Sequence, residues 1–274
     1  MAESLPAYRM HEAALDYARI ARMWIRASLA YPLSFALLTL SSLVMTALDF
    51  VGIWLMFHTV DHLGDFDLRE IALLYGASGL GIGVADMLIG SVEQLGQHVR
   101  TGSLDTMLLR PVPLLVQVCA DRFALRRLGR ISQATVVFAW GAGIVDWTPG
   151  RILVALGMVA GAILLYFGLF VGFSCIQFWT QDATEFANAF TYGGNTITQY
   201  PLSIYPQAVV RSLTFVLPIA FVSWYPCLTL LGRTDPWGTP GWFGWLTLPV
   251  GVVCMAAAGA LWRSGVRHYT STGS

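Results

Sequence analysis

Residues 152–179 read ILVALGMVAGAILLYFGLFVGFSCIQFW, a run of 28 positions without one charged side chain. A hydrocarbon core about 30 Å thick is crossed by about 20 helical residues, so the run is long enough to span a bilayer. It lacks the period-two alternation of a barrel strand. Only a helix or a closed barrel satisfies its backbone hydrogen bonds in lipid, and the run therefore reads as a transmembrane helix. Outward from it, five more stretches have the same character, at 33–57, 71–90, 131–145, 212–231 and 242–262. The one at 131–145 is short and is expected to borrow from the preceding 114–128. Composition agrees. Of 274 residues 56% are hydrophobic and 12% charged, where a soluble chain carries roughly a quarter charged. The reading is an all-α membrane protein with six transmembrane helices.

The placement of basic residues orients it. All 16 are arginine, and the chain has no lysine. That excludes a Walker-type phosphate-binding lysine, a Schiff base and a lysine general base, so ATP, if used, is bound elsewhere. With the N-terminus in the cytoplasm, 13 arginines fall on the inner side, including Arg9, Arg19, Arg22, Arg26, Arg211, Arg263, Arg267 and the six between Arg100 and Arg130. Only Arg69, Arg151 and Arg233 fall outside, which is the positive-inside asymmetry. The opposite side carries Asp61, Asp65, Asp67, Glu70, Asp146 and Asp235, and Trp147, Trp237, Trp242 and Trp245 cluster at its interface. Both chain termini are expected in the cytoplasm of a bacterial cell, the protein being multi-pass in the cytoplasmic membrane. No cleavable signal peptide is expected.

Three segments are more than linkers. Residues 1–30 form a cytoplasmic amphipathic helix, with Arg19, Arg22 and Arg26 opposite Tyr17, Ile20, Met23, Trp24 and Ala27, leading to Tyr31-Pro32. The remainder, 31–274, is the membrane domain. Within it the loop 93–113 is cytoplasmic, and the polar segment 181–207 is either interfacial or re-entrant.

The loop holds QHVRTGSLDTMLLRPVP at 97–113. Ser103 is placed as N-cap of a short helix, Asp105 sits in its first turn, and Pro111 ends it. Leu104, Met107 and Leu108 stand at i, i+3 and i+4, an apolar knob flanked by Arg100 and Arg110. Such a knob suits docking into a groove on a soluble partner, or packing on its own chain; physics alone leaves the two even.

The run Gly102-Ser-Leu-Asp-Thr-Met-Leu-Leu-Arg-Pro-Val resembles the G-x-L-D-x-x-L-L-R-P signature of one ABC-2 type permease family. Tyr200-Pro-Leu-Ser-Ile-Tyr-Pro206, then Pro218 and Tyr225-Pro226, resemble the same family in the same order. The tail from Trp262 to Gly273 is similar to its W-x-x-G-[LV]-x-x-Y-x-S-x-G ending, departing at Thr270, where an acidic residue is common. The resemblance implies a type V exporter-like architecture in which the N-terminal helix is the elbow helix. The segment holding Leu104, Asp105, Met107, Leu108 and Leu109 is then the coupling helix. It implies two ATPase subunits that hold the ATP and magnesium, and a second permease chain, identical or paralogous. Members are exporters of drugs or other amphipathic compounds, some of viologens.

No catalytic residues, no cofactor on this chain and no nucleic acid are expected. Substrate-cavity candidates are Asp49 in the first span and Asp86 in the second, carboxylates that face a bundle interior or water when found at membrane depth. Each serves equally as polar glue between helices, the commoner role. Asp121, Arg122, Arg126 and Arg130 form a charged stripe that suits lipid headgroups, a link to an ATPase, or plain solvation. His58 and His62 have zinc spacing but no second signal, so no metal is expected. Cys119, Cys175, Cys227 and Cys254 read as small core residues. Gly76, Gly79, Gly81, Gly83 and Gly90 in the second span read as contacts for close helix packing. An ion-coupled secondary transporter would show clustered intramembrane charges and an internal repeat, and a membrane enzyme paired His and acidic groups; neither pattern is convincing here.

Overall fold

The computed structural model describes residues 10–180 and 184–269, and among them 12 α-helices and no strand. Residues 1–9, Thr270 and the rest of the tail, and the first positions of 181–207 lie outside the described residues. Four helical units are long and apolar enough to cross a membrane: Pro32–Met56, Leu68–Arg100, Pro149–Phe178 and Gly241–His268. A fifth candidate is a pair, Gln207–Phe215 and Pro218–Leu231, bent by 80°.

Local chemistry sets the ends of these helices. Helix α1 (Met10–Leu29) stops before Tyr31, and α2 (Pro32–Met56) starts with proline at its first position, where no backbone N–H is needed. Helix α3 (Leu68–Ile89) opens on a capping box, Glu70 N–H donating to Asp67 Oδ1 and Asp67 N–H to Glu70 Oε2, both at 2.9 Å. Past a 3-10 stretch, Gly90–Gln94, the chain continues as α4 (Leu95–Arg100), then α5 (Ser103–Leu108) and α6 (Leu114–Ala120). Helix α7 (Leu128–Ala142) follows; Asp121 and Arg122 interrupt the chain before it, so the third apolar stretch borrows nothing from 114–120. Helix α8 (Pro149–Ser174) is capped by Thr148, which accepts from Arg151 N–H.

Helix α3 is the centre: 16 of its 22 residues are buried, against Thr46 and Ile53 alone in the 25-residue α2. Its glycines form the expected packing stripe. A Cβ on Gly76 would lie 2.5 Å from the Phe138 backbone, on Gly79 3.0 Å from Ala134, and on Gly83 3.0 Å from Ile131, so α7 runs antiparallel to α3 in close contact along most of its own length. Gly81 faces the other way, onto Ala162 of α8. Helix α12 (Thr247–His268) lies parallel to α8, with Gly161 against Thr247 and Gly168 against Cys254.

Contacts locate the described part of the polar segment, from Thr184 onward. Helix α9 (Thr184–Thr198) places Tyr192 on Asp86 at 3.1 Å and Thr198 on Ser78 at 2.6 Å; beyond it Ser203 donates to Gly64 O at 3.3 Å. Residues 192–203 thus climb antiparallel along the whole of α3. The next segment returns to the end it left: Arg233 binds Glu70 and the Asp65 carbonyl, close to where Ser203 met Gly64. Between them α10 (Gln207–Phe215) and α11 (Trp224–Leu231) form the bent pair. At its inner point Ser223 donates to Thr198 O at 2.6 Å, level with Ser78 at the middle of α3.

The single helix expected at 212–231 is therefore absent. Pro218 supplies no N–H and drives Leu217 out of the helical region (φ −116°, ψ 90°), which breaks the run. Arg211 lies in α10, within this bent pair.

Candidate functional site

Three polar constellations lie along α3. The first is at its arginine-rich end, where α4, α5 and α6 fold into a tight knot. Gly102, in the left-handed region at φ 67°, takes the N-cap position of α5 that the sequence assigned to Ser103. Ser103 instead puts its hydroxyl 2.9 Å from His98 Nδ1, and His98 Nε2 lies 3.4 Å from the Asp121 carboxylate. Buried Gln117 closes the other side, its amide donating to the carbonyls of Met107 (2.9 Å) and Val112 (2.8 Å). Tyr269 donates to Asp105 at 3.1 Å, which ties the C-terminal end of α12 to the same knot.

The apolar residues of α5 divide in a way that i, i+3, i+4 spacing does not show. Leu104 is fully buried and Met107 packs on the core, so neither is part of a knob. The exposed tip is Leu108 with Leu109, the latter 86% exposed, between exposed Arg100 and Arg110. Leu104 anchors the helix; Leu109 presents it.

The second constellation surrounds Asp86, which is 3% exposed. Arg127 Nε lies 2.8 Å and Arg130 Nη1 3.8 Å from its Oδ2, and Tyr192 donates to Oδ1. Arg127 also donates to the Asp86 carbonyl. Tyr192 reaches Glu93 at 3.4 Å, the Glu93 carbonyl accepts from Gln177, and Gln177 accepts from the Gly96 N–H. One cluster so joins α3, the 3-10 stretch, α7, α9 and the end of α8. Asp86 is engaged by this cluster, as polar glue between helices is, and is absent from the lining of the polar cavity described next. Arg127, Glu93, Tyr192 and Gln177 were not singled out by sequence: each partner is at least tens of positions away, apart from Glu93, and nothing local marks the pairing.

The third is a polar cavity of about 300 Å³ between α2, α3, α7 and α9. Asp49 lines it, with Gln133, Asn195, Gln199, Tyr75 and Arg130 among its other walls. Asp49 is exposed, while Gln133 is buried beside Tyr75. Three tyrosines, Tyr75, Tyr192 and Tyr200, supply aromatic faces, so the space offers a carboxylate, a guanidinium, amides and rings together.

His58 sits on Trp54, its Nδ1 3.2 Å from the Trp54 carbonyl. Among the described residues no group of three or more His, Cys, Asp or Glu could hold a metal ion. All four cysteines are free. Burial pushes the Cys119 thiol up to about 12, the behaviour of a core residue.

A family model described as ABC-2 family transporter protein matches residues 43–273. No curated protein and no solved structure matches the chain.

Proposed function

The chain belongs to the ABC-2 family of transporter proteins, membrane transport subunits that are not themselves catalytic, and on that premise we propose that it is the permease half of an ATP-driven exporter. Two copies of a separate ATPase bind the ATP and magnesium. A second permease chain, identical or paralogous, completes the membrane part. In this reading α2, α3, α7, α8, α9 and α12 make the six crossings and α1 is the elbow helix. The bent pair α10–α11 dips in from the outer side and returns, and both termini and the arginine-rich end face the cytoplasm of a bacterial cell.

The observation that carries the reading is the exposed Leu108–Leu109 tip on a rigidly tied cytoplasmic knot, flanked by Arg100 and Arg110. An apolar point with a basic rim fits a groove on a soluble subunit, and the knot passes movement of that subunit into α3. The cavity lined by Asp49 is where an amphipathic compound with a polar head is held. Transport follows from a shift between inward-open and outward-open forms, driven by closure of the ATPases.

The test is to tag the chain in its native host, solubilise it gently and identify co-purifying proteins by mass spectrometry. A stoichiometric soluble protein with a Walker-type loop is expected. A chain that purifies alone from several detergents after crosslinking would overturn the reading in favour of an ion-coupled secondary transporter.

A further inference from the structure

The joint between α1 and α2 borders an open groove of about 440 Å³ that takes no part in the site above. One wall is Trp24, Ala27 and Ser28 of α1; another is Tyr31, Ser34, Phe35 and Leu38 at the turn and the start of α2. The third is the irregular segment from Arg122 to Arg126 that precedes α7. Its sides are therefore mostly apolar and aromatic, with Arg122 and Arg126 as its two charged lining residues.

Neither arginine makes a direct ion pair with an acid among the described residues. Arg126 is exposed, and its side chain makes no hydrogen bond or ion pair among the described residues. Arg122 is exposed and donates one N–H to Gln94 Oε1 at 3.0 Å. Arg122 also holds a left-handed backbone, φ 53°, unusual for a side-chain-bearing residue. The chain is turned there so that Arg122 stands beside the cavity instead of continuing α6.

The surroundings fix the depth. Tyr17 of α1 donates to Leu88 O near the arginine-rich end of α3, and α1 turns directly into the membrane-crossing α2. A slot with apolar walls and a doubly cationic rim at that level matches one molecule: a phospholipid, its acyl chains along Phe35 and Leu38 and its phosphate between the guanidiniums. Polybasic rims favour lipids of net negative charge over zwitterionic ones, because a zwitterion's own ammonium competes for the phosphate.

We propose that the α1–α2 joint is a binding site for one anionic phospholipid, clasped by Arg122 and Arg126. The proposal rests on the membrane placement of α1 and α2, and not on the identity of the substrate or the ATPase. A lipid held there wedges the angle between α1 and α2.

The experiment is native mass spectrometry of the complete purified complex in detergent, with phosphatidylglycerol or phosphatidylcholine added at equal concentration. The wild-type protein is expected to retain one phosphatidylglycerol with a preference on the order of tenfold. Arg122→Gln with Arg126→Gln should abolish the preference, whereas Arg122→Lys with Arg126→Lys should keep most of it. Leu38→Trp, which fills the slot and leaves both charges, should remove the adduct. Unchanged preference in the double Gln variant overturns the proposal, as does loss of the lipid on adding inorganic phosphate alone, which would make the ligand a free anion. A Leu38→Cys disulfide between two copies in high yield, without a lipid adduct, would show a second chain filling the slot and overturn it as well. ATPase co-purification is read on the same samples, so failure of the lipid arm leaves the permease reading separately scored.

Discussion

Arg233 and Glu70 meet face to face, Nε to Oε1 at 2.7 Å and Nη2 to Oε2 at 2.9 Å, although 163 positions separate them. Glu70 is also the third residue of the α3 capping box, so the pair fastens the end of α11 to the first turn of α3. The guanidinium additionally lies over the Phe66 ring, 4.6 Å from its centroid. Arg233→Met should leave Glu70, buried at 8% exposure beside Arg233, half-satisfied, at a cost of about 1–3 kcal/mol. Glu70→Gln should cost at least as much, since it weakens the cap too. Thermal unfolding in detergent measures both; if neither lowers the midpoint, the pair does not hold the bent segment in place.

Asp86 and Arg127 form a pair whose members suffer most when separated. Removing one partner, as in Asp86→Leu or Arg127→Met, leaves the other without its nearest counter-charge and should cost up to about 3–5 kcal/mol, less for Arg127→Met because Arg130 and Tyr192 still face Asp86. The double variant should cost less than either single change. Additive losses in that cycle would mean the two groups act independently.

Close helix contact predicts a sharp contrast between two glycines. Gly76→Ala puts a Cβ 2.5 Å from the Phe138 backbone and should destabilise by about 1–3 kcal/mol. Gly157→Ala meets nothing within 4 Å, and should be neutral or stabilise by up to about 1 kcal/mol through helix propensity. Equal effects in denaturant titrations would contradict the packing described for α3 and α7.

Leu108→Asp with Leu109→Asp should leave expression and monodispersity unchanged while uncoupling the partner's ATP hydrolysis from transport in vesicles. Leu104→Asp should behave differently: it buries a charge and should lower the folded yield. Intact coupling in the Leu108/Leu109 variant would remove these residues from the interface.

The parts legible in sequence were those written in local pattern. Span length marked α2, α3, α8 and α12, and the glycine stripe of α3 announced close packing, because both follow from residues on one helix. Helix α9 escaped for a physical reason: its polarity is answered by Ser78, Tyr166 and Asp86 on other helices, so a hydropathy window sees a loop. Likewise the spacing of Leu104, Met107 and Leu108 defines a face of α5 but not which side of it the fold covers. Asp86 was visible as costly at membrane depth; that Arg127 answers it depends on the α3–α7 register, which the sequence does not print.

The unit from Leu68 to Arg100 carries a mechanical consequence. It counts as one helical length of 33 residues, roughly 50 Å, interrupted only by the 3-10 stretch Gly90–Gln94. One tip is locked to Arg233, the other leads into α5, and the middle bears on α7 through glycines. Such a beam is a see-saw: a tilt of about 5° swings either tip by roughly 4 Å relative to the other. A push on Leu109, passed through the knot into α4, would then reach the bent α10–α11 pair at the far face along one helical unit.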